Sequence, residues 1–264
     1  MTNDPRMAEY ASLTDPELAR RHGLFVAEGR LVVRRVIEDG RYAIRSLLLS
    51  EAAQQQFQLD GLLARLDPAV PVHVCTAQSF REITGFNIHR GCVAIVARPP
   101  ALDPDALADA ARLLLMLESI ANPDNVGGIF RNAAAFGADG VLLDAATGDP
   151  LYRKAIRTSM AATLRVRFAY AQGPDVLPKL RTRGFTVVAL TPHEPAEALD
   201  RFLNRPRPAR LVLLLGNEGA GLSTAVAAAA DVRVRIPMNT DVDSLNVAVA
   251  AAIALSRLTR FADV

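Results

Sequence analysis

The stretch LVLLLGNEGAGLS, from Leu211 to Ser223, decides the fold. Five consecutive apolar residues without alternation suit a strand buried on both faces, and the glycines that follow mark a turn. Ser223 or Thr224 can then cap a helix whose alanines run on to Ala230. The same grammar repeats outward in both directions. Apolar runs stand at LLLML (113–117), VLL (141–143), RVRFAYA (165–171), TVVAL (186–190) and VRVRI (232–236). Helical stretches fall between them: GGIFRNAAAF, PLYRKAIRTSMAA, DVLPKLRTR, AEALDRFL and STAVAAAA, with SLNVAVAAAIALSRLTRF closing the chain. This alternation predicts an α/β domain with a mostly parallel sheet and helices on both faces.

Upstream, the proline- and alanine-rich RPPALDPDALADAA (Arg98–Ala111) reads as a domain boundary. The expected division is an N-terminal domain over 1–98, a linker over 99–111 and a second domain over 112–264. In the first, LFVAEGRLVVRRVIEDG reads as a strand entering a helix. Leu31, Val32, Val36 and Ile37 recur there at helical spacing, and Gly40 stops the helix. IRSLLLS, VPVHVCT and GCVAIVA are further short strands, so this part is a small α/β domain.

The composition, 50% hydrophobic and 22% charged over 264 residues, is that of a soluble globular protein. No apolar run approaches the roughly 20 residues of a membrane span, and the polar, acid-bearing start lacks the apolar middle of a signal peptide. A cytoplasmic location is therefore expected. Cys75 and Cys92 form no CxxC and have no histidine cluster near them, which argues against a disulfide framework or a structural zinc. The net charge is +2: residues 1–98 carry 12 basic and 11 acidic side chains, and residues 99–264 carry 18 and 17. Such balance leaves nucleic-acid binding open without favouring it. One local basic cluster stands out. Arg153, Lys154 and Arg157, with Arg165 and Arg167 on the following strand, could touch phosphates or form a solvated helix face; Asp149–Pro150 should start that helix.

In a parallel α/β sheet, ligands sit beyond the C-terminal ends of the strands. Three of the loops there are unusual. In ESIANPDNVGGIFRNAAAFG, Asp124 or Asn125 can cap a helix beginning near Val126, and Gly127 and Gly128 leave its first turn bare. Arg131 lies one turn beyond Gly127 on the same face, so Asn125, the bare turn and Arg131 would converge. LLLGNEGAGLS has the spacing G-x-x-G-x-G, unlike dinucleotide-binding loops, and lacks the lysine of a P-loop. Glu218 is an acid in a glycine turn after a wholly apolar strand. In RIPMNTDVDSLNVAVAAAIAL a strand ends at Ile236–Pro237, and Ser244 caps a long alanine-rich helix with Asn246 at its N-terminus.

Together these loops resemble the three signature motifs of SpoU-type (TrmH-like) RNA 2′-O-methyltransferases of the SPOUT superfamily. The first motif is matched by Asn125, Gly127, Arg131, Ala133, Phe136 and Gly137, the second by Gly216–Gly221, and the third by Ile236–Met238 with Ser244–Val247. The resemblance covers Leu113 to about Leu258. More weakly, FVAEGRLVVRRVIEDG and His89–Val96 look like the family's N-terminal substrate-binding domain. Two positions depart from the pattern. Thr240 stands where many relatives have glycine, and Ser159–Ala162 read SMAA where many carry S-x-G-A.

The resemblance implies a deep trefoil knot in the catalytic domain and S-adenosylmethionine as cofactor. It implies that Gly216, Ile236 and Leu245 hold the adenine by backbone groups, helped by Thr191, with Asn217, Gly219 and Met238 completing the cofactor site. It implies a homodimer built on the first and last helices of the domain, RNA as substrate (ribosomal ahead of transfer), and no metal. Arg131 would carry the catalysis. In the family proposal it removes the ribose proton with help from an RNA phosphate. Guanidinium normally stays protonated in proteins, so stabilising an alkoxide or clamping the phosphate are equal alternatives. Asn125, Glu218, Ser244 and Asn246 would orient the arginine and the ribose. A Rossmann-type methyltransferase or NAD enzyme would need a glycine fingerprint after the first strand of the sheet, which LLLMLESIANPDNVGG lacks. A catalytically silent RNA-binding paralogue is disfavoured because Asn125, Arg131, Glu218, Ser244 and Asn246 are all present.

Overall fold

The computed structural model describes Tyr10 and residues 15–84, 91–239, 241 and 244–259. His89 and Thr240, noted above, lie outside the described residues. The chain divides into two compact units, Met1–Pro100 with Leu151–Ala161, and Ala101–Pro150 with Ala162–Val264.

In the first unit a helical segment over residues 15–22 ends at Gly23, and β1 (Leu24–Glu28) leads into α1 (Arg30–Asp39). The buried stripe of α1 is Val32, Val33, Val36 and Ile37, while Leu31 is 37% exposed, so the apolar face begins one residue later than the spacing suggested. Gly40, at φ +67°, ends the helix in the left-handed conformation. β2 (Ile44–Ser50), α2 (Glu51–Leu59), β3 (Val72–Cys75), α3 (Ala77–Thr84) and β4 (Cys92–Ala97) complete a four-stranded sheet of order β1-β4-β2-β3. β4 runs antiparallel to both neighbours, and β2 and β3 are parallel. Cys75 and Cys92 are free thiols, and burial pushes the thiol of Cys92 far above its ordinary range.

Residues 151–161 belong to this unit rather than to the C-terminal domain in which sequence order had put them. Their short helix, Arg153–Thr158, packs against β1. It starts after Tyr152 and not at Asp149–Pro150. It is followed by Met160 and Ala161, both left-handed at φ +53° and +65°. Ala161 therefore takes, with a methyl group, a conformation that favours glycine, at the place where the family pattern has one.

In the second unit the stretch expected as a linker contains α4 (Pro104–Ala110), whose Leu107 and Ala108 are buried. The sheet comprises β5 (Leu113–Leu117), β6 (Gly140–Leu143), β7 (Phe168–Tyr170), β8 (Phe185–Leu190), β9 (Glu197–Ala198), β10 (Arg210–Leu215) and β11 (Val232–Arg235). Its order is β7-β6-β5-β10-β8-β11-β9, and every pairing is parallel. β7 is shorter than RVRFAYA suggested, so Arg165 and Arg167 precede the strand, and β9 carried no apolar run to announce it.

The helices of this unit are α5 (Pro123–Ala135), α6 (Gly173–Thr182), α7 (Leu199–Leu203), α8 (Thr224–Ala228) and α9 (Val247–Leu258). One face of the sheet packs Leu107 and Ala108 of α4, Val176, Leu177 and Leu180 of α6, and Val226 of α8 against Met116, Leu142, Val187 and Leu214. The intervening strand residues Leu115, Val188 and Leu213 are buried as well, which explains why β5 and β10 read as unbroken apolar runs.

The caps of α5 and α9 differ from expectation. Pro123 occupies the first turn of α5, so Asn122 is its cap, accepting from the Asp124 N–H at 2.9 Å, and Asn125 falls inside the helix. Asn246, not Ser244, caps α9, accepting from the N–H groups of Ala248 and Val249. α9 lies against α5 closely enough that a Cβ on Gly128 would come within 2.9 Å of the Ala248 Cβ. The Asn132 amide donates to the Ala248 carbonyl across the same seam at 2.7 Å. Gly128→Val should therefore lower stability by about 1–3 kcal/mol through overpacking, and Ala248→Gly in that background should recover part of the loss. Denaturant melts of the two variants measure this.

Candidate active site

Because the sheet is wholly parallel, the loops after β5, β8, β10 and β11 leave from one edge, and those four strands are neighbours. β6 and β7 extend the sheet to one side of β5 and β10 to the other, which makes this edge the crevice where such sheets bind ligands.

The glycine turn after β10 is folded tightly on itself. Asn217 and Gly221 exchange backbone hydrogen bonds of 3.1 and 3.0 Å, and the Asn217 side chain accepts from the N–H groups of Gly219 and Ala220. A Cβ on Gly216 would overlap the Gly221 carbonyl carbon, so only glycine fits there. Three hydrogen bonds fasten this turn to the loop after β5. The Asn217 amide donates to the Ser119 carbonyl at 2.8 Å, and Glu118 accepts from both the N–H and the hydroxyl of Ser223.

The oddity of Glu218 is resolved by Asn125. This asparagine is buried at 7% exposure, and its amide donates to the Glu218 carboxylate at 2.5 Å. Its carbonyl oxygen accepts from the Asn246 amide at 2.9 Å. One side chain from each of the three motif loops thus joins a single polar chain, Glu218–Asn125–Asn246. Placing Asn125 inside α5, rather than at its cap, is what frees the side chain for this task.

Beside the chain lies a cavity of about 220 Å³. Gly216, Asn217 and Gly219 line it from the β10 turn, Thr191 from the end of β8, and Ile236, Met238 and Leu245 from the loop that follows β11. All seven positions named as cofactor-binding therefore meet at one cavity. Glu218 and Ser244, named as catalytic, line it too. Arg131 does not: it is exposed on α5, and its side chain makes no ion pair or hydrogen bond among the described residues. Pro192, His193 and Leu222 also line the cavity and were missed, although Pro192 and His193 directly follow Thr191 at a strand end, where the strand-end rule directs attention. Of the basic cluster, Arg153 is engaged with Asp15 through its side chain at 2.8 Å and its backbone N–H at 3.1 Å, while Lys154 and Arg157 are exposed. Among the described residues no group of three or more His, Cys, Asp or Glu side chains is arranged to hold a metal.

Residues 112–256 match the model of the SpoU rRNA Methylase family. The chain belongs to this family. A relative from Mycobacterium tuberculosis, named an uncharacterized tRNA/rRNA methyltransferase, is 36% identical over 226 residues, covering 84% of this chain and 77% of that protein. The structure of an AdoMet-bound rRNA methyltransferase from Sinorhizobium meliloti aligns with a TM-score of 0.79 at 28% identity, over 98% of this chain and 95% of that one. A structure described as an RNA 2′-O ribose methyltransferase aligns with a TM-score of 0.75 at 26% identity, over 98% and 96% of the two chains. The described residues of this SpoU-family RNA methyltransferase contain no helix long and apolar enough to cross a membrane.

Asn125→Asp tests the polar chain without changing its shape. It removes the donor to Glu218 and sets a second carboxylate against it. The variant should lose about 1–2 kcal/mol at pH 8, because a hydrogen bond to a charged group is replaced by like-charge repulsion. Equilibrium unfolding of the variant and the parent protein at pH 8 measures it.

Proposed function

We propose that this chain transfers a methyl group from S-adenosylmethionine to a ribose 2′-hydroxyl of RNA, with ribosomal RNA as the substrate class. The observation that carries the reading is the single cavity at which all seven expected cofactor positions meet, beside the Glu218–Asn125–Asn246 chain.

The residues suit that cofactor. The apolar wall of Leu190, Leu215, Ile236 and Leu245 fits an adenine ring, and Gly216, with no side chain, leaves backbone groups free to bond its edge. Glu218 supplies negative charge on the same wall, matched to a sulfonium. When bound, S-adenosylmethionine supplies a methyl group already activated for displacement. The protein's task is then to orient a ribose hydroxyl and help it lose its proton. Asn125 and Asn246 fix the Glu218 carboxylate, and Ser244 offers a hydroxyl at the rim. Arg131, exposed and without a partner among the described residues, is left available to the RNA, as base, alkoxide stabiliser or phosphate clamp.

The neighbours support the finer points. The S. meliloti structure is of an rRNA methyltransferase with AdoMet bound, and its alignment extends over nearly the whole chain, including the N-terminal unit that we assign to RNA binding. A second neighbour is named for 2′-O ribose methylation. Lys154 and Arg157 serve as phosphate contacts, whereas Arg153 anchors its helix through Asp15. A homodimer built on α5 and α9 would cover Val249, which is 48% exposed. The insertion of β10 between β5 and β8 is compatible with the family's knotted chain path.

Labelled S-adenosylmethionine, incubated with RNA from a strain lacking this gene, tests the reading. Label should enter ribosomal RNA at a linkage resistant to alkali, and Arg131→Ala should reduce turnover at least about 100-fold with little change in cofactor affinity. Label on a base, or none despite cofactor binding, would overturn it. In the same assay, Lys154→Ala with Arg157→Ala should weaken RNA binding and flatten its salt dependence by about 0.7–0.9 in slope for each phosphate that is no longer neutralised.

A further inference from the structure

We propose that Asp144 is a positioning residue for the cofactor cavity, acting through Ser119 and Asn217. Asp144 follows β6 and touches neither the cavity nor the Glu218–Asn125–Asn246 chain. It is a carboxylate at 8% exposure with no paired cation among the described residues. Four donors converge on it instead. The Ser119 N–H reaches both carboxylate oxygens at 3.0 Å, and the Ser119 hydroxyl reaches one at 3.1 Å. The N–H and hydroxyl of Thr147 reach the other at 2.8 and 2.6 Å.

Ser119 is held in a left-handed conformation, at φ +56°, that a residue with a Cβ adopts only under constraint. In that conformation its N–H meets Asp144 while its carbonyl accepts the Asn217 amide at 2.8 Å. Asn217 in turn organises the turn through the N–H groups of Gly219 and Ala220. Asn217, Glu218 and Gly219 all line the cavity. A buried carboxylate at the end of β6 is thus connected, by one strained residue, to the turn that forms part of the cavity wall. Thr147 makes Asp144 look like an ordinary turn residue, but Thr147 alone requires nothing of Ser119. The functional consequence rests on the proposed S-adenosylmethionine reading of the cavity; the backbone consequence does not.

Asp144→Asn keeps the shape and removes the charge, setting an amide donor against the donors of Ser119 and Thr147. Amide exchange followed by NMR should show Gly219 and Ala220 exchanging at least ten-fold faster, with Leu213 and Leu214 of β10 unchanged. Calorimetry should show about ten-fold weaker S-adenosylmethionine binding, the scale of a lost charged hydrogen bond. Adding Ser119→Gly should restore most of that affinity, because glycine holds the left-handed conformation without help and keeps both backbone bonds. Unchanged exchange at 219–220, or an equal rise throughout β10, would overturn the relay and leave Asp144 a local turn residue. A wild-type protein that fails to bind S-adenosylmethionine would contradict the proposed function instead, and the exchange result would then decide the relay alone.

Discussion

The backbone of Gly216 lies against that of Gly221 more closely than any side chain allows, and the site depends on that contact. It brings the chain back on itself at the end of the central strand, so that Asn217 can bond across the turn and Glu218 can reach Asn125. Without the close approach the turn would widen. The cavity wall formed by Gly216, Asn217 and Gly219 would then move away from Ile236 and Leu245. Motif loops that read as three separate features in the sequence are therefore one structure, closed by three side chains and one bare glycine.

The parallel sheet makes this closure possible. β5 and, beyond Arg210, β10 are buried neighbours in register, Leu117 beside Leu215, so their following loops start side by side. Glu118 and Ser119 on one loop then meet Ser223 and Asn217 on the other. Fixing the loops by hydrogen bonds between them, rather than by packing alone, leaves the cavity wall free of bulky side chains and suits a ligand bound through backbone groups.

Much of this was legible in the sequence. Unbroken apolar runs located β5 and β10 to within a residue, because strands buried on both faces exclude polar side chains, and the shorter apolar patterns of TVVAL and VRVRI placed β8 and β11 equally well. Seven of the cavity residues followed from the family resemblance, whereas Pro192, His193 and Leu222 did not. What was missed has physical causes. Helix caps were misplaced by two or three residues because Pro123 and Asn246 begin their helices in ways that the apolar pattern does not record. β9 is two residues long, too short for periodicity to register. The docking of residues 151–161 on the first unit, with Arg153 bonded to Asp15, depends on a contact across 138 positions in the chain. The bond from Asn217 to Ser119 spans 98 positions and that from Ser119 to Asp144 spans 25, distances at which no local pattern speaks.

A crystal structure of the protein with S-adenosylhomocysteine tests most directly whether the cavity beside Glu218 is the cofactor site. The adenine should lie against Ile236 and Leu245, bonded to backbone groups near Gly216, with the sulfur on the side of Glu218. A ligand bound elsewhere on the chain, with this cavity unchanged, would contradict it.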